Sequence, residues 1–268
     1  MPLAVCATPI GNLDDVTLRV LAELREADLV LCEDTRRSRI LLERHGIDAR
    51  LLSYHQHNEA TRTEEVVSRL GRGERVALVS DAGLPGVNDP GARLVSAAVS
   101  AGLPVTVLPG PSAVETALVA SGLVADRYQF LGYLPRRARE LQALAAQLVG
   151  WAQPVVAFES PRRLPTSLAV LAAEMPARPA AVCRELTKRF EEVVRGTLSE
   201  LADRFAEPPK GEITLVLGVG SERAGEGIDD AVRAVAELVA AGVSRRQAVD
   251  LVVRLTEAPR NALYRSSL

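Results

Sequence analysis

Three short loops rich in glycine and proline each follow an apolar run that predicts a β-strand. The loops are Ala7–Leu13, Ser80–Gly86 and Leu108–Ala113. Glycine permits positive φ and close approach of the backbone to a ligand, and proline stiffens the adjacent turn. Because open α/β sheets bind ligands at the carboxyl ends of their strands, the three loops together predict one crevice for a cofactor. Neither G-x-G-x-x-G nor G-x-x-x-x-G-K-[ST] occurs in them, so neither an ordinary dinucleotide fold nor a P-loop is indicated.

Four polar clusters are also predicted at strand ends. They are Glu33–Ser38, Ser53–Glu59, Glu159–Arg163 and Arg184–Lys188. Paired arginines bind anionic groups such as phosphates bidentately, and the alternative for each cluster is a solvated loop with surface ion pairs. His55 and His57 have loose spacing that a polar surface loop explains equally well, so no metal site is expected. A Ser-His-Asp order and a G-x-S-x-G elbow are both missing, so a hydrolase would have no identifiable nucleophile.

Composition narrows the class of protein. The 268 residues are 47% apolar and 25% charged, as in an ordinary globular protein of one large or two medium domains. The net charge of −2 gives no global basic field, although a local arginine cluster suffices to bind phosphates. Cys6, Cys32 and Cys183 lie in apolar runs without a C-x-x-C pair, which favours reduced core thiols of a cytoplasmic protein. No charged-then-apolar leader and no apolar run of about 18 residues occurs, so we expect no secretion and no membrane span.

Alternating strand and helix patterns indicate an α/β protein with a parallel or mixed sheet covered on both faces. Residues 1–115 are predicted to form a first α/β domain and residues 116–220 a second. The predicted strands are Leu3–Cys6, Leu29–Cys32, Val76–Val79, Val105–Leu108, Gln129–Tyr133, Val155–Phe158, Ala181–Cys183, Glu192–Arg195 and Ile213–Leu217. The predicted helices are Val16–Leu24, Ile40–Arg44, Asn58–Leu70, Pro90–Val99, Pro111–Val119, Arg139–Leu148, Arg163–Ala173 and Ser199–Phe205.

The last part of the chain, residues 221–268, is predicted to form a small helical tail. Gly220–Gly227 is rich in glycine and charge and indicates a linker, after which two or three short amphipathic helices follow. A helix cap at Ser244, an apolar face containing Val249, Val252 and Val253, and the final Asn261–Tyr264 resemble a helix-turn-helix fragment. The alternative is a helical tail that packs on the body of the protein or on a partner subunit.

An ordered set of motifs that spans nearly the whole chain resembles the ribosomal RNA small subunit methyltransferase I family. The motifs are Ala7–Thr17, Cys32–Arg36, Val79–Gly86, Asp89–Gly91, Leu108–Ala113, Phe130–Pro135, Phe158–Arg163, Cys183–Lys188 and Lys210–Glu212. The resemblance implies the tetrapyrrole-methylase fold, in which two α/β domains hold S-adenosyl-L-methionine in the cleft between them. It also implies a homodimer, a helix-turn-helix appendage, and 2′-O-methylation of a cytidine ribose in the decoding region of 16S ribosomal RNA. The superfamily's usual Gly-rich first loop here contains Pro9-Ile10, which fits the RNA-methylating branch.

Roles for individual residues follow partly from the resemblance and partly from the polar clusters. Those implied for the cofactor are Pro9, Ile10, Gly11, Asp81, Gly83, Leu84, Val87, Ser112, Ala113, Phe158, Leu186 and Thr214. Those proposed for the RNA are Arg36, Arg37, Arg162, Arg163 and Arg184, with Lys188 beside them. The candidates for the proton acceptor in catalysis are Glu159, Glu185 and Lys188. Glu159 is preferred because its strand is expected to end in the cleft. Lys188 qualifies only if its surroundings lower its pKa, and the alternative for either carboxylate is that it orients an arginine.

Two other functions stay open on the sequence alone. A methylase of a porphyrin or corrin precursor would use the same cofactor, and the arginine clusters would then hold the acetate and propionate groups of its substrate. A non-catalytic RNA-binding or assembly module would use the tail to hold the ribosomal subunit and would need no S-adenosyl-L-methionine. The motifs favour RNA over a tetrapyrrole as the methyl acceptor.

Overall fold

The computed structural model describes residues 3–220, 222–256 and 263, and these form two compact units. The first contains the chain up to Ala120 together with Cys183–Val193 and Gly211–Thr214. The second contains Ser121–Val182, Val194–Lys210 and the chain from Leu215 onward. The units are therefore discontinuous in sequence, and the division of the chain at residues 115 and 220 stays a prediction.

The first unit contains a five-stranded sheet with all its recorded pairings parallel. Its strands are β1 (Leu3–Cys6), β2 (Leu29–Cys32), β3 (Leu51–Ser53), β4 (Val76–Val79) and β5 (Val105–Leu108), in the order β3-β2-β4-β1-β5. Cys6 at the end of β1 pairs with both Val79 of β4 and Leu108 of β5, so these three adjacent strands end level. The loops that follow these strands therefore start at one edge of the sheet.

Helices cover both faces of this sheet, as the alternating pattern predicts. They are α1 (Leu18–Glu26), α2 (Thr35–Arg44), α3 (Glu59–Gly71), α4 (Ala92–Ser100) and α5 (Ala113–Ser121). Side chains alternate across a strand, so Leu3 and Val5 pack in one buried cluster while Ala4 and Cys6 pack in another. All three cysteines are buried free thiols, and burial raises the pKa of Cys6 to about 12.

Two predictions in this unit need correction. Strand β3 was not predicted, because three residues are too few to show a period of two. Helix α2 begins at Thr35, five residues before the predicted start at Ile40, because the Asp34 carboxylate accepts a hydrogen bond from the Arg36 amide at 2.8 Å. An aspartate at this position satisfies a backbone donor that the first turn leaves free. Part of the predicted polar cluster is thus the first turn of a helix.

The second sheet contains β6 (Gln129–Tyr133), β7 (Val155–Glu159), β8 (Pro179–Arg184), β9 (Glu192–Thr197) and β10 (Ile213–Leu217). Their order is β6-β7-β10-β8-β9, so the last strand in sequence lies at the centre. The helices α6 (Ala138–Val149), α7 (Leu164–Glu174) and α8 (Leu198–Arg204) lie within two residues of their predicted bounds. Helix α8 begins with a capping box in which Thr197 and Glu200 exchange hydrogen bonds.

Two helices, α9 (Glu222–Ala240) and α10 (Arg245–Thr256), follow the second sheet. The predicted linker at Gly220–Gly227 is wrong from Glu222 onward, because the helix that begins there continues through 19 residues, and a helix extends cheaply once it is nucleated. Val249 and Val252 pack with Leu263 in a buried apolar cluster, which confirms the predicted apolar face. The prediction for Asn261–Tyr264 otherwise lies outside the described residues. No helix in the described part of the chain is long and apolar enough to cross a membrane.

Candidate functional site

The three glycine loops of the first unit contact one another directly. Thr8 and Gly83 form an antiparallel bridge, with N–H to O=C distances of 2.8 and 3.0 Å. The Ala7 amide donates to the Leu108 carbonyl at 3.1 Å, which ties the first loop to the third. The predicted meeting of these loops at one sheet edge is therefore confirmed.

Two of the loop glycines are required for different reasons. Gly83 has φ +77°, a conformation that glycine adopts without strain, and a Cβ there would lie 3.7 Å from the Pro111 carbonyl, an ordinary contact. Gly110 has no positive φ. A Cβ at Gly110 would instead approach the Ala7 side chain to 2.9 Å. Backbone conformation thus requires glycine at the second loop, and close packing requires it at the third.

The segment Glu185–Lys188 packs against the first glycine loop. A Cβ on Gly11 would lie 2.6 Å from Lys188 Cγ and 2.8 Å from the Leu186 carbonyl oxygen. The Asn12 amide donates to Thr187 Oγ1 at 3.0 Å. Glu185 and Thr187 have φ of +52° and +64°, which costs a non-glycine residue about 1–3 kcal/mol. Such strain is concentrated at functional sites, so this segment is a candidate part of one.

A hydrogen-bonded network holds the strained segment in place. Lys188 Nζ donates to Glu185 Oε1 and to Glu212 Oε2, both at 2.9 Å, and the Glu212 amide donates to Glu185 Oε1 at 2.9 Å. The hydrogen bond from the Glu212 backbone amide and the hydrogen bond from Lys188 lower the pKa of Glu185. Burial by itself would lower the pKa of Lys188, but the bonds to the two carboxylates outweigh it and raise that pKa. Lys188 could act as a general base only with a lowered pKa, and its raised pKa contradicts that condition.

The carboxylate of Glu159, at the end of β7 in the second unit, is 0% exposed. It accepts hydrogen bonds from Ser167 Oγ at 2.5 Å and from the Ser160 amide at 2.6 Å. Its second oxygen also lies 3.3 Å from Arg163 Nη2. Arg163 in turn donates to the carbonyl oxygens of Leu134 and Pro135. This arrangement favours the alternative considered from the sequence, that Glu159 orients an arginine.

The proposed RNA-contacting cations differ in availability. Arg36, Arg37 and Arg162 are exposed, with Arg36 paired to Asp34 at 2.7 Å and Arg37 to Asp81 at 3.3 Å. These ion pairs are at the surface and hold their arginines weakly. Arg184 is half-buried and donates twice to Glu192, at 2.9 and 3.0 Å. Together with Arg163, it therefore acts mainly within the fold.

Acidic side chains gather after β2 and β4 in the first unit. Burial, with the nearby charges of Glu33 and Asp81, raises the pKa of Asp89 to about 6. Burial and Asp81 also raise the pKa of Glu33. Asp81 accepts a hydrogen bond from the Asp34 amide at 3.2 Å, which joins the two strand ends. The carboxylates at this edge therefore repel one another, Arg37 offsets only part of the repulsion, and a further cationic group would relieve it.

The other residues implied for the cofactor fall into several environments. Pro9, Ile10, Leu186 and Thr214 are buried, Leu84 is partly buried, and Val87 is exposed. Ser112 Oγ bonds the carboxylate of Glu115, and Ala113 begins α5. In the second unit the Phe158 ring packs edge-on against Phe130 and Tyr133, with centroids 5.0 and 5.6 Å apart. No group of three metal-ligating side chains occurs within the described ranges.

Comparison with known proteins places this arrangement in a family. Residues 2–202 match the model of the tetrapyrrole (corrin/porphyrin) methylases. A uroporphyrin-III C-methyltransferase from Thermus thermophilus, solved with S-adenosyl homocysteine, shares the fold, with a TM-score of 0.54 at 21% identity over 81% of this chain and 96% of that one. Two proteins named ribosomal RNA small subunit methyltransferase I are more similar in sequence. The one from Mesorhizobium japonicum is 44% identical over 99% of this chain and 91% of its own length. The one from Micromonospora olivasterospora is 43% identical over 98% and 85%.

The chain belongs to the tetrapyrrole methylases, and within them to the ribosomal RNA small subunit methyltransferase I family. The resemblance seen in the sequence motifs and the predicted fold class are thereby confirmed. Membership also confirms a methyltransferase that depends on S-adenosyl-L-methionine.

Proposed function

We propose that this protein transfers a methyl group from S-adenosyl-L-methionine to the 2′-hydroxyl of a cytidine ribose in 16S ribosomal RNA. The observation that carries the proposal is the 44% identity, over 99% of the chain, to a protein named for methylation of small-subunit ribosomal RNA. The chemistry of the first unit supports it, because glycine loops at the ends of parallel strands suit a nucleoside-containing cofactor.

The residues of the first unit fit S-adenosyl-L-methionine. The bound cofactor supplies a methyl group on a positively charged sulfonium, and it also carries an ammonium group. Glu33, Asp81 and Asp89 form a negative edge that suits such a cation. The backbone of Ile10 and Gly11, the turn at Gly83 and the start of α5 at Ala113 would hold the rest of the molecule.

Exposed arginines support RNA as the acceptor. Arg36 and Arg37 begin helix α2 in the first unit, and Arg162 precedes α7 in the second. Guanidinium groups release counterions when they bind phosphates, so such contacts dominate affinity for nucleic acids. We propose these three as RNA contacts, while Arg163 and Arg184 position the segments beside them.

Orientation of the reacting groups is the main catalytic contribution that the structure supports. Aligning a hydroxyl with its methyl donor supplies up to about 7–11 kcal/mol of barrier reduction. Lys188 is protonated at neutral pH and Glu185 is a weak base with a lowered pKa, so neither is suited to remove the ribose proton. We propose that Glu185 and Lys188 instead fix the strained segment against the first glycine loop.

A transfer assay separates the candidate functions. The protein would be incubated with methyl-labelled S-adenosyl-L-methionine and either undermodified small ribosomal subunits or a porphyrin precursor. The proposal expects label in RNA alone, whereas label in the porphyrin would identify a tetrapyrrole methylase. A binding module would label neither and would retain no cofactor in equilibrium dialysis.

We also propose a cytoplasmic homodimer. Val99 on α4 and Val107 on the edge strand β5 are large apolar side chains that are at least half exposed in the first unit. An interface related by two-fold symmetry would cover the same patch on both copies. Sedimentation at micromolar concentration should show twice the 28.7 kDa chain mass, and a 28.7 kDa species would contradict the dimer. We expect a cytoplasmic protein because the proposed substrate is ribosomal RNA.

A further inference from the structure

An open cavity of about 680 Å³ lies in the first unit, beside the first glycine loop. One wall is the turn Gly11–Asp14, and the other is Thr187–Arg189, with Arg44 at the end of α2 closing it. Neither Arg44 nor Arg189 is among the site residues predicted from the sequence. The cavity has the size of a small-ligand site.

The turn on one side of the cavity is firmly fixed. The Asn12 side chain accepts a hydrogen bond from the Asp14 backbone amide at 3.1 Å, and the Asn12 backbone amide donates to Thr187 Oγ1. The Leu13 carbonyl oxygen lies 3.2 Å from His45 Nε2. Arg44 makes a two-pronged ion pair with Asp14, at 3.0 and 3.1 Å. Both partners are more than half exposed, so this pair gives little stability and can exchange Asp14 for another anion.

The opposite wall continues into an aromatic side chain held out in solvent. Phe190 is 65% exposed, and the Arg189 guanidinium lies 5.5 Å from the centre of its ring. Arg189 forms no ion pair with any residue that the structure describes. Two hydrogen bonds hold the segment around them, because the Glu191 carboxylate accepts from the Thr187 amide and the Glu191 amide donates to the Lys188 carbonyl. The Phe190 ring is therefore exposed to solvent on a segment that internal hydrogen bonds hold in place.

We propose that this cavity and Phe190 form a subsite for one or two single-stranded nucleotides of the RNA substrate. A base stacks on Phe190, and Arg189 and Arg44 hold the flanking phosphates. Single-stranded RNA is recognised by this combination of aromatic stacking and cationic contacts. The inference rests on the proposed RNA-methylating function and adds a surface distinct from Arg36, Arg37 and Arg162.

The test measures RNA and cofactor binding separately. A fluorescein-labelled single-stranded 12-nucleotide RNA containing cytidines would be titrated with the full-length protein and followed by anisotropy. Phe190→Ala should weaken binding about 5- to 150-fold, since stacking on one aromatic side chain is worth about 1–3 kcal/mol per base. Phe190→Trp should restore affinity to within about twofold of the parent. Arg189→Ala should lower the slope of log affinity against log salt by about 0.7, the value for one contact to a single strand.

Control variants and a second ligand make each outcome decisive. Arg72→Ala removes an exposed arginine paired to Glu74, as Arg44 is to Asp14, from the opposite end of the strands, and should leave RNA affinity unchanged. The affinity for S-adenosyl-L-methionine, measured by calorimetry, should stay the same in all variants. Loss of cofactor affinity in Phe190→Ala and Arg189→Ala with intact RNA affinity would indicate that the cavity binds the cofactor, and it would overturn the inference. Parent-like RNA affinity in both variants, with RNA methylation intact, would also overturn it. A parent that methylates no RNA would instead refute the proposed function.

Discussion

Gly11 provides a sharp test of how the first glycine loop is built. Its φ is not positive, and no constraint on backbone conformation requires glycine there. The constraint is space, because a Cβ would lie 2.6 to 2.8 Å from atoms of three consecutive residues, Leu186, Thr187 and Lys188. Lys188 Cγ can move aside, whereas the Leu186 carbonyl belongs to a strained and hydrogen-bonded backbone. Gly11→Ala must therefore push the loop and the segment apart.

The cost of this separation follows from the contacts that it breaks. Overpacking costs about 1–3 kcal/mol, and loss of the Asn12 to Thr187 hydrogen bond adds about 1 kcal/mol. Alanine also lowers the conformational entropy of the unfolded chain, which offsets about 0.4–1 kcal/mol of this loss of stability. A net loss of about 1–3 kcal/mol corresponds to a fall in Tm of about 2–12 °C for a chain of this size. Affinity for S-adenosyl-L-methionine should fall as well, because the loop is part of the proposed cofactor site.

Differential scanning calorimetry with and without cofactor measures both effects. Gly71→Ala is the matched control, since its new Cβ meets nothing within 4 Å at the end of helix α3. That variant should be as stable as the parent or slightly more stable, because alanine has a higher helix propensity than glycine. A Gly11→Ala protein with parent-like Tm and cofactor affinity would refute the packing described for this loop.

Three further predictions concern other parts of the site. Gly83→Val, at φ +77°, should lose about 1–3 kcal/mol of stability and bind S-adenosyl-L-methionine more weakly while remaining folded; unchanged calorimetric affinity would remove this turn from the site. Asp89→Asn should be more stable than the parent by up to about 3 kcal/mol at pH 7.5, with the gain vanishing near pH 4. The sign follows because a raised carboxyl pKa makes the folded state lose stability as pH rises from about 4 to about 6, and a pH-independent difference in Tm would contradict it. Glu159→Gln should lose about 2 kcal/mol of stability and less than tenfold in single-turnover rate, whereas a loss of about 100-fold or more with unchanged Tm would make Glu159 the base after all.

The parts of the fold that follow from hydrophobic patterning were predictable. Leu29–Cys32 and Val76–Val79 are continuous apolar runs, as expected for parallel strands buried on both faces, and the structure has them with the same bounds. Glycine and proline after each run marked the loops, so the sheet edge could be located as well. Strand β3 could not be predicted because it is too short to show a pattern. The start of α9 could not be predicted because it is rich in glycine.

The environments of individual side chains were harder to predict. The sequence shows Glu159 beside two arginines, but its complete burial depends on how α7 packs over β7. Likewise, one interpretation of Arg184–Lys188 from the sequence is a solvated loop with surface ion pairs, yet Glu185 and Lys188 are fixed by Glu212 from a distant part of the chain. Arg44 and Arg189 could not be predicted as site residues, because nothing near them in sequence shows that they lie beside the first glycine loop.

The identity of the methylated nucleoside tests the central claim most directly. Small ribosomal subunits from a strain that lacks this modification would be incubated with the protein and methyl-labelled S-adenosyl-L-methionine, and their RNA digested to nucleosides for mass spectrometry. The account predicts label in 2′-O-methylcytidine from 16S ribosomal RNA. Label on a base, label in another nucleoside, or no label in RNA from a protein that binds the cofactor would contradict it.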